Sequence, residues 1–440
     1  IKAILLVRLQ TLLQAHSAVS KEVCVLLEYF INNSILPVVH EHGSVGASGD
    51  LVQLAHIAEA LIGEGYVLHG GKKIPSKRVF EMYKKDITPL SITGREALAL
   101  INGTSAMTGI AGVHITIAQK IMKASIYACA ILLELVEAPE DYFSENISSV
   151  RPHTGQVEVG RIISEILKTS KLISRISLKH RVNISTNMSK SLDTDTSLET
   201  GTVQMNKSIQ EIYSIRCIVQ ILGPIFDQLQ QSKHVFETEL NSVTDNPVFF
   251  TDDTVIHGGN FHGDYISYEM DKLKIGITKL SMLLERQFNF LVQPKVNGMF
   301  PPFLNKGVVG LDLGLQGLQF VATSTVAENQ TLSNPMSIHS IPCNNDNQDI
   351  VSMGTNSAQI AGKIIDNTVE VLAIQLYALA RAVELRDSVK STNKNTHTKI
   401  DMKMGTKIHT KMNSKMSAQM SAKTREFISQ IQSCVSRSKS

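Results

Sequence analysis

The run DKLKIGITKLSMLLERQFNFL, from Asp271 to Leu291, decides the fold class. Leu273, Ile277, Leu280, Leu284, Phe288 and Leu291 recur at spacings of 4, 3, 4, 4 and 3. That is the period of one face of an α-helix, and it puts Lys272, Lys274, Glu285 and Arg286 on the other faces. From Gln359 to Arg386 the pattern returns, with Ile365, Val369, Leu372, Leu376, Leu379 and Val383 at spacings of 4, 3, 4, 3 and 4. Two such stripes predict long helices packed in a bundle at a shallow crossing angle. Working outward, further helices are expected over Ala3 to Leu13, Glu22 to Asn32, Leu51 to Ile62, Ala106 to Val136 and Ile209 to Gln231, the last kinked at Pro224. Strand signals are short, as in Gly65 to His69 and Val248 to Ile256. The chain therefore reads as mainly α, with its unusual polar sequence gathered in the loops between helices, where chemistry tends to sit.

Composition agrees with a large buried core: 440 residues are 43% hydrophobic and 19% charged. A disordered chain, a coiled-coil rod and a disulfide-stapled miniprotein are excluded. The five cysteines, Cys24, Cys129, Cys217, Cys343 and Cys434, are scattered without a C-x-x-C pair, so neither structural zinc nor a disulfide framework is expected. No apolar run reaches the eighteen or so residues that span a bilayer, and no charged-then-apolar leader opens the chain, so a cytoplasmic protein with no membrane partner is expected. The chain opens at Ile1 rather than Met, which leaves open whether it is a fragment. Its net charge of +3 is uneven. From Ser388 to Ser440, eleven Lys or Arg stand against two acidic residues, a balance of +9, leaving −6 for residues 1–387. The division expected is a helical body over 1–387 and a basic, low-complexity tail over 388–440. In that tail Lys399, Lys403, Lys407, Lys411 and Lys415 recur every fourth residue, a spacing at which like charges weaken a helix. No aromatic residue interrupts these lysines to stack on bases, so a solvated tail is expected and nucleic acid is not.

The chemical clue is the glycine-rich turn HGSVGASGD, His42 to Asp50. Its glycines fall three apart, which is not the G-x-G-x-x-G of a dinucleotide site. Gly70-Gly71-Lys72-Lys73 is not a phosphate loop either, because it lacks the first glycine and the hydroxyl residue after the lysine. What remains is Ala47-Ser48-Gly49. If the chain bends tightly there, the Gly49 amide nitrogen can attack the Ala47 carbonyl, since glycine offers no side chain to obstruct the approach. Loss of two waters, one carrying off the Ser48 hydroxyl, would leave a ring with an exocyclic methylidene, a strong electrophile. The tripeptide alone decides little. At roughly 7% usage per residue, chance places it in about one chain in six of this length. A plain helix start with Asp50 as cap is the competing reading.

The neighbours decide. GSVGASGDLVQLAHIA from Gly43, ALALINGTSAM from Ala97, IYSIRC from Ile212, NSVTDNP from Asn241, HGGNFHGDYIS from His257 and NNDNQDIVSMGTNSA from Asn344 strongly resemble the aromatic amino-acid ammonia-lyases and their aminomutase relatives. The resemblance runs from about residue 3 to about residue 385, and the last two runs are most similar to the bacterial tyrosine ammonia-lyase branch. It implies a long helical bundle of the ammonia-lyase/fumarase-like type with a small loop-rich active-site region. It also implies a 4-methylidene-imidazol-5-one formed from Ala47, Ser48 and Gly49, with no external cofactor and no metal. Asn102 resembles the asparagine that hydrogen-bonds this group and the substrate amine. Arg216 resembles the carboxylate clamp, a task suited to a bidentate guanidinium. Tyr213, three residues earlier, resembles the tyrosine beside the electrophile, and Gln210 completes that stripe. Phe261 is implied near the electrophile, and Asn347 and Gln348 near the substrate. Read without the resemblance, these are a turn asparagine, a surface arginine, core-edge aromatics and loop amides.

Gln348 bears on the substrate, because the histidine-specific enzymes carry a glutamate there. An ionised carboxylate facing a phenyl or phenol ring would be buried without a partner, whereas an amide costs less. The implied reaction is elimination of ammonia across Cα–Cβ of an aromatic L-amino acid, tyrosine or phenylalanine before histidine, giving an arylacrylate. The resemblance places the general base on a tyrosine upstream of Ile1. It implies a homotetramer, with the small-molecule amino acid as partner. A 2,3-aminomutase using the same electrophile and a truncated, non-catalytic subunit are the alternatives.

Overall fold

The computed structural model describes residues 1–92, 94–174, 211–308, 310–392 and 415–437. They are mostly helical and form two compact units: residues 1–121, 227–279 and 326–369, and residues 122–226, 280–325 and 370–440.

In the first unit the helices Lys2–Leu13, Lys21–Asn32, Leu51–Leu61 and Arg95–Ile101 surround one hydrophobic cluster. Leu5, Leu27, Phe30, Ile35, Leu54, Ile57 and Leu61 are completely buried in it. Burying each such side chain is worth about 1.5–3 kcal/mol, so this cluster anchors the loops around it. A three-stranded antiparallel sheet flanks the helices, with Tyr66–His69 between Leu36–Pro37 and Lys72–Pro75. His69 pairs with Lys72, so Gly70 and Gly71, both at positive φ, form the two-residue turn of a hairpin. That is the structural role of the Gly-Gly-Lys-Lys run. The expected strand over 248–256 is a small hairpin, Val248–Phe249 against Val255–Ile256.

The second unit is built from helices, among them Thr154–Leu167 and Ala422–Arg437. A Cβ on Gly223, in the helix Ile218–Leu240, would lie 2.7 Å from the Gln156 backbone nitrogen, so only glycine lets that helix approach Thr154–Leu167 so closely. The compositional boundary at 387/388 falls inside the helix Gly354–Thr392. Residues 415–437 are packed into this unit. Ser421 N and Thr424 Oγ1 donate to the buried Glu134 carboxylate at 2.6 Å each, Phe427 packs on Tyr127, and Ser417 donates to Asp387. Burial pushes the Glu134 carboxyl up, against the pull of those donors. The lysine stripe from Lys399 to Lys411 lies outside the described residues.

The long helices follow their sequence stripes with instructive exceptions. In Asp264–Val292 all the residues Leu273, Ile277, Leu280, Leu284, Phe288 and Leu291 are fully buried. Lys274 and Glu285, expected outside, are buried as well. Lys274 pairs with Asp271 at 2.8 Å and Glu285 with Arg286, so each charge enters the interior with a partner. In Gly354–Thr392 the expected Val369 is 45% exposed, while Thr368 and Gln375 take buried positions through hydrogen bonds. The helix Ser105–Leu135 is long and apolar enough to cross a membrane by length and composition, although Lys120 and Lys123 interrupt its apolar run. However, 61% of its most apolar stretch is buried in the protein, as in a core helix.

Candidate active site

The turn 43–50 is held between two other segments of the first unit. Gly46 and Gly49 form an antiparallel bridge that closes the chain over Ala47-Ser48. Ser48 sits at φ 52 and both glycines at φ 77, a left-handed region that costs an ordinary residue about 1–2 kcal/mol. Space is as restrictive as conformation. A Cβ on Gly49 would lie 2.1 Å from the Gly103 carbonyl oxygen, and one on Gly46 would lie 2.0 Å from Ser352 Oγ. On one side Gly103 N donates to Ser48 O at 3.3 Å and Asp50 N donates to Gly103 O at 2.8 Å. On the other, Met353 N donates to Val45 O at 3.0 Å.

Asp50 occupies the N-cap position of Leu51–Leu61, yet its side chain does not cap that helix. The fully buried carboxylate accepts instead from Met107 N at 2.7 Å, Thr355 Oγ1 at 2.5 Å and Ser44 Oγ at 2.7 Å. Burial raises its pKa in spite of these donors. Asp50 thus ties the turn to the starts of two long helices, which the capping reading missed. Nearby, the half-buried Glu239 carboxyl accepts from Thr104 Oγ1 at 2.5 Å and is likewise raised by desolvation.

Asn102 follows the helix Arg95–Ile101 in extended conformation and is buried. Its Nδ2 donates to Ser48 O at 3.4 Å, and its Oδ1 has no partner among the described residues. Gln348 approaches from the loop after residue 340. Cys343 and Gln348 form a bridge around Asn344, Asn345 and Asp346, all in the left-handed region that Asn and Asp tolerate best. Gln348 Nε2 donates to Ser48 Oγ at 3.4 Å. Asn347, in the same loop, is exposed. Phe261 is half-buried in the turn just before Asp264–Val292. The structure therefore brings Ala47, Ser48, Gly49, Asn102 and Gln348 together.

Tyr213 and Arg216 belong to the second unit. They share one face of a four-residue helix, Tyr213–Arg216. The continuous helix expected from Ile209 is broken at Cys217 and resumes as Ile218–Leu240, with Pro224 inside it; Gln210 lies outside the described residues. Tyr213 is 73% exposed, and Arg216 has no ion-pair partner among the described residues. So short a helix leaves carbonyls unmatched, and Ser214 O is satisfied from outside by Gln287 Nε2 at 2.8 Å. Gln287 Oε1 in turn accepts from Gln375 Nε2 at 2.5 Å and lies 3.5 Å from Cys129 Sγ. All three side chains are fully buried, and burial pushes the Cys129 thiol up to about 12, so it remains a thiol. Sequence reasoning missed this pin, because a buried glutamine on a helical stripe carries no signal of its own.

The residues fit a methylidene-imidazolone. The turn is already closed, the carbonyl that would become the ring oxygen has two donors, and the buried Asn102 Oδ1 is left free to accept.

The model of the family described as aromatic amino acid lyase matches residues 1–404. A tyrosine ammonia-lyase of Cupriavidus metallidurans is 38% identical over 395 residues, covering 89% of this chain and 71% of that protein. An MIO-dependent tyrosine 2,3-aminomutase of Streptomyces globisporus is 37% identical over 387 residues, covering 87% and 69%. Among solved structures, the phenylalanine aminomutase of Pantoea agglomerans superposes with a TM-score of 0.82 at 30% identity, covering 98% of this chain and 75% of that one.

Proposed function

The chain belongs to the aromatic amino acid lyase family, and from that premise we propose that it eliminates ammonia from an aromatic L-amino acid, tyrosine or phenylalanine in preference to histidine, to give an arylacrylate. The observation that carries this reading is the closed Gly46–Gly49 turn with Ser48 O facing two donors. The imidazolone formed from Ala47, Ser48 and Gly49 would supply an electrophile for the substrate amine without an external cofactor. Asn102 Nδ2 and Gly103 N hold the oxygen on which negative charge would gather, and aligned donors at such a point stabilise that charge. Asn102 Oδ1 is placed to accept from the substrate amine. Arg216 binds the substrate carboxylate as a fork, with Tyr213 on its helix face and Gln210 as a further substrate-binding residue. Phe261 and Asn347 line the substrate, and the neutral Gln348 suits a phenyl or phenol ring better than a carboxylate would.

Five free thiols support a reducing, cytoplasmic setting. Tyr265, Tyr268 and Ile275, exposed along one long helix, support assembly into a homotetramer. An aminomutase would use the same residues, and the similarity to one is close to that of the ammonia-lyase. Chromatography separates the two by product, an arylacrylate or a β-amino acid.

Ser48→Ala tests the reading. The unsubstituted protein is expected to weigh two waters less than its sequence and to release a conjugated arylacrylate from tyrosine or phenylalanine. The variant is expected to keep its full sequence mass and lose roughly a thousandfold or more in turnover. An unsubstituted chain at full sequence mass would instead leave a non-catalytic subunit.

A further inference from the structure

Arg8 lies in the helix Lys2–Leu13 among buried apolar residues and is itself fully buried. A guanidinium in such surroundings normally has a carboxylate partner. Asp245, the carboxylate that acts on it electrostatically, is already engaged: it pairs with Arg95 at 2.6 Å and accepts from Asn246 N at 2.7 Å. Arg8 Nη1 donates to the backbone carbonyl of Asn102 at 2.6 Å, and its Nε and Nη2 have no partner among the described residues. Burial pushes the guanidinium down to about 10, with Asp245 opposing and Arg95 adding to the shift, so it stays charged at neutral pH.

The Asn102 carbonyl and the Gly103 amide belong to one planar peptide unit. Its oxygen faces Arg8 at 2.6 Å, and its N–H donates to Ser48 O at 3.3 Å. A cation on the oxygen draws electron density through the conjugated amide and makes its N–H a stronger donor. Glycine at 103 permits the arrangement, since a Cβ there would lie 2.7 Å from Arg8 Nη1 and 2.4 Å from Thr244 O.

We propose that Arg8 is a positioning residue that polarises the Asn102–Gly103 peptide and so strengthens the hydrogen bond to the Ser48 carbonyl oxygen, raising the reactivity of the electrophile formed there. The inference rests on the reading that Ala47-Ser48-Gly49 cyclises. It also accounts for a buried charge that leaves its neighbouring carboxylate to another arginine.

The test uses Arg8→Met, similar in length and uncharged, and Arg8→Lys. Each protein is weighed intact to establish the two-water deficit, then treated with borohydride, and hydride addition is timed by mass without any substrate. Arg8→Met is expected to mature and to accept hydride about tenfold more slowly, the effect of weakening a charge-assisted hydrogen bond. Arg8→Lys is expected to recover part of the rate. A merely structural Arg8 would lower the melting temperature and leave the addition rate of matured protein unchanged, and that result overturns the proposal. If Arg8→Met does not fold or mature, the Gly103 amide proton of the unsubstituted protein decides. A resonance well downfield supports the polarised peptide, and an ordinary position overturns it. An unsubstituted protein lacking the deficit would overturn the proposed function and this inference together. A normal deficit with unchanged hydride addition sinks only this inference.

Discussion

The first unit contains two buried polar clusters that differ in how completely their groups are satisfied. Around Asp271, the carboxylate accepts from Lys274 Nζ at 2.8 Å, Met336 N at 3.0 Å, Ser337 N at 2.9 Å, Ser337 Oγ at 2.7 Å and Ser357 Oγ at 2.5 Å. Lys274 also donates to Asn334 O at 2.7 Å. Burial alone would raise Asp271, but Lys274 and these donors outweigh it and hold the carboxyl below its usual value. Around Ser48 the balance is the reverse. Among the described residues Arg8 Nε and Nη2, Asn102 Oδ1 and Ser352 Oγ have no partner, and Asp50 is pushed up. A saturated cluster is a fastener, here tying residues 334–337 to the long helix. An unsaturated one keeps hydrogen-bonding capacity that the fold itself does not use, and native proteins tolerate such groups mainly where chemistry needs them.

The largest way to break the contrast is Gly49→Ala. Left-handed strain and a Cβ 2.1 Å from Gly103 O together should cost on the order of 4 kcal/mol and prevent the two-water loss. Intact mass and a urea midpoint check both, and a matured, stable variant would refute the tight turn. Next comes Asp271→Asn, which strands Lys274 in the interior and should cost about 3 kcal/mol; Asp271→Leu with Lys274→Met should cost at least as much, because it leaves the amides of Met336 and Ser337 and the hydroxyls of Ser337 and Ser357 without their acceptor. Because the folded pKa of Asp271 is depressed, its contribution is complete above the ordinary aspartate value and disappears as pH falls through the lower folded value. Asp271→Asn should therefore flatten the acid limb of a stability-against-pH curve in that window and leave the two-water deficit intact. Loss of the deficit would show that this cluster is more than a fastener. The smallest effect is expected from Ala15→Gly and Ala18→Gly. Both alanines sit at positive φ in the connection between the first two helices, so relieving them should raise stability by about 0.5–1 kcal/mol each. Thermal melts measure it, and the deficit should not change.

Much of the helical framework was legible because burial leaves a period in the chain. The stripe from Leu273 to Leu291 is buried throughout, and the ends of Lys21–Asn32 and Leu51–Leu61 fall within a residue of expectation. Where polarity and position disagreed, the reading failed: Lys274 and Glu285 are inside and Val369 is outside, and Thr368 and Gln375, to which no face was assigned, are inside too. A polar side chain enters a core only when a partner waits there, and that partner is remote in sequence, as Asn334 is from Lys274. In the site, Ala47, Ser48, Gly49, Asn102 and Gln348 were named from motifs and are brought together. Arg8, Asp50 and Gln287 were missed. Arg8 did carry a signal, a lone charge in an apolar helix, whereas Gln287 carried none.

By itself, the order of residues determined the helical class, the bounds of helices such as Lys21–Asn32 and Leu51–Leu61, and the three small residues that form the tight turn, because periodicity and backbone permissiveness are local properties. Only the tertiary structure decided which polar groups are buried, which of those are satisfied, and that a cation on the first helix bonds the peptide unit donating to Ser48. Desolvation and hydrogen-bond satisfaction depend on groups scores of residues apart, so no local pattern could have encoded them.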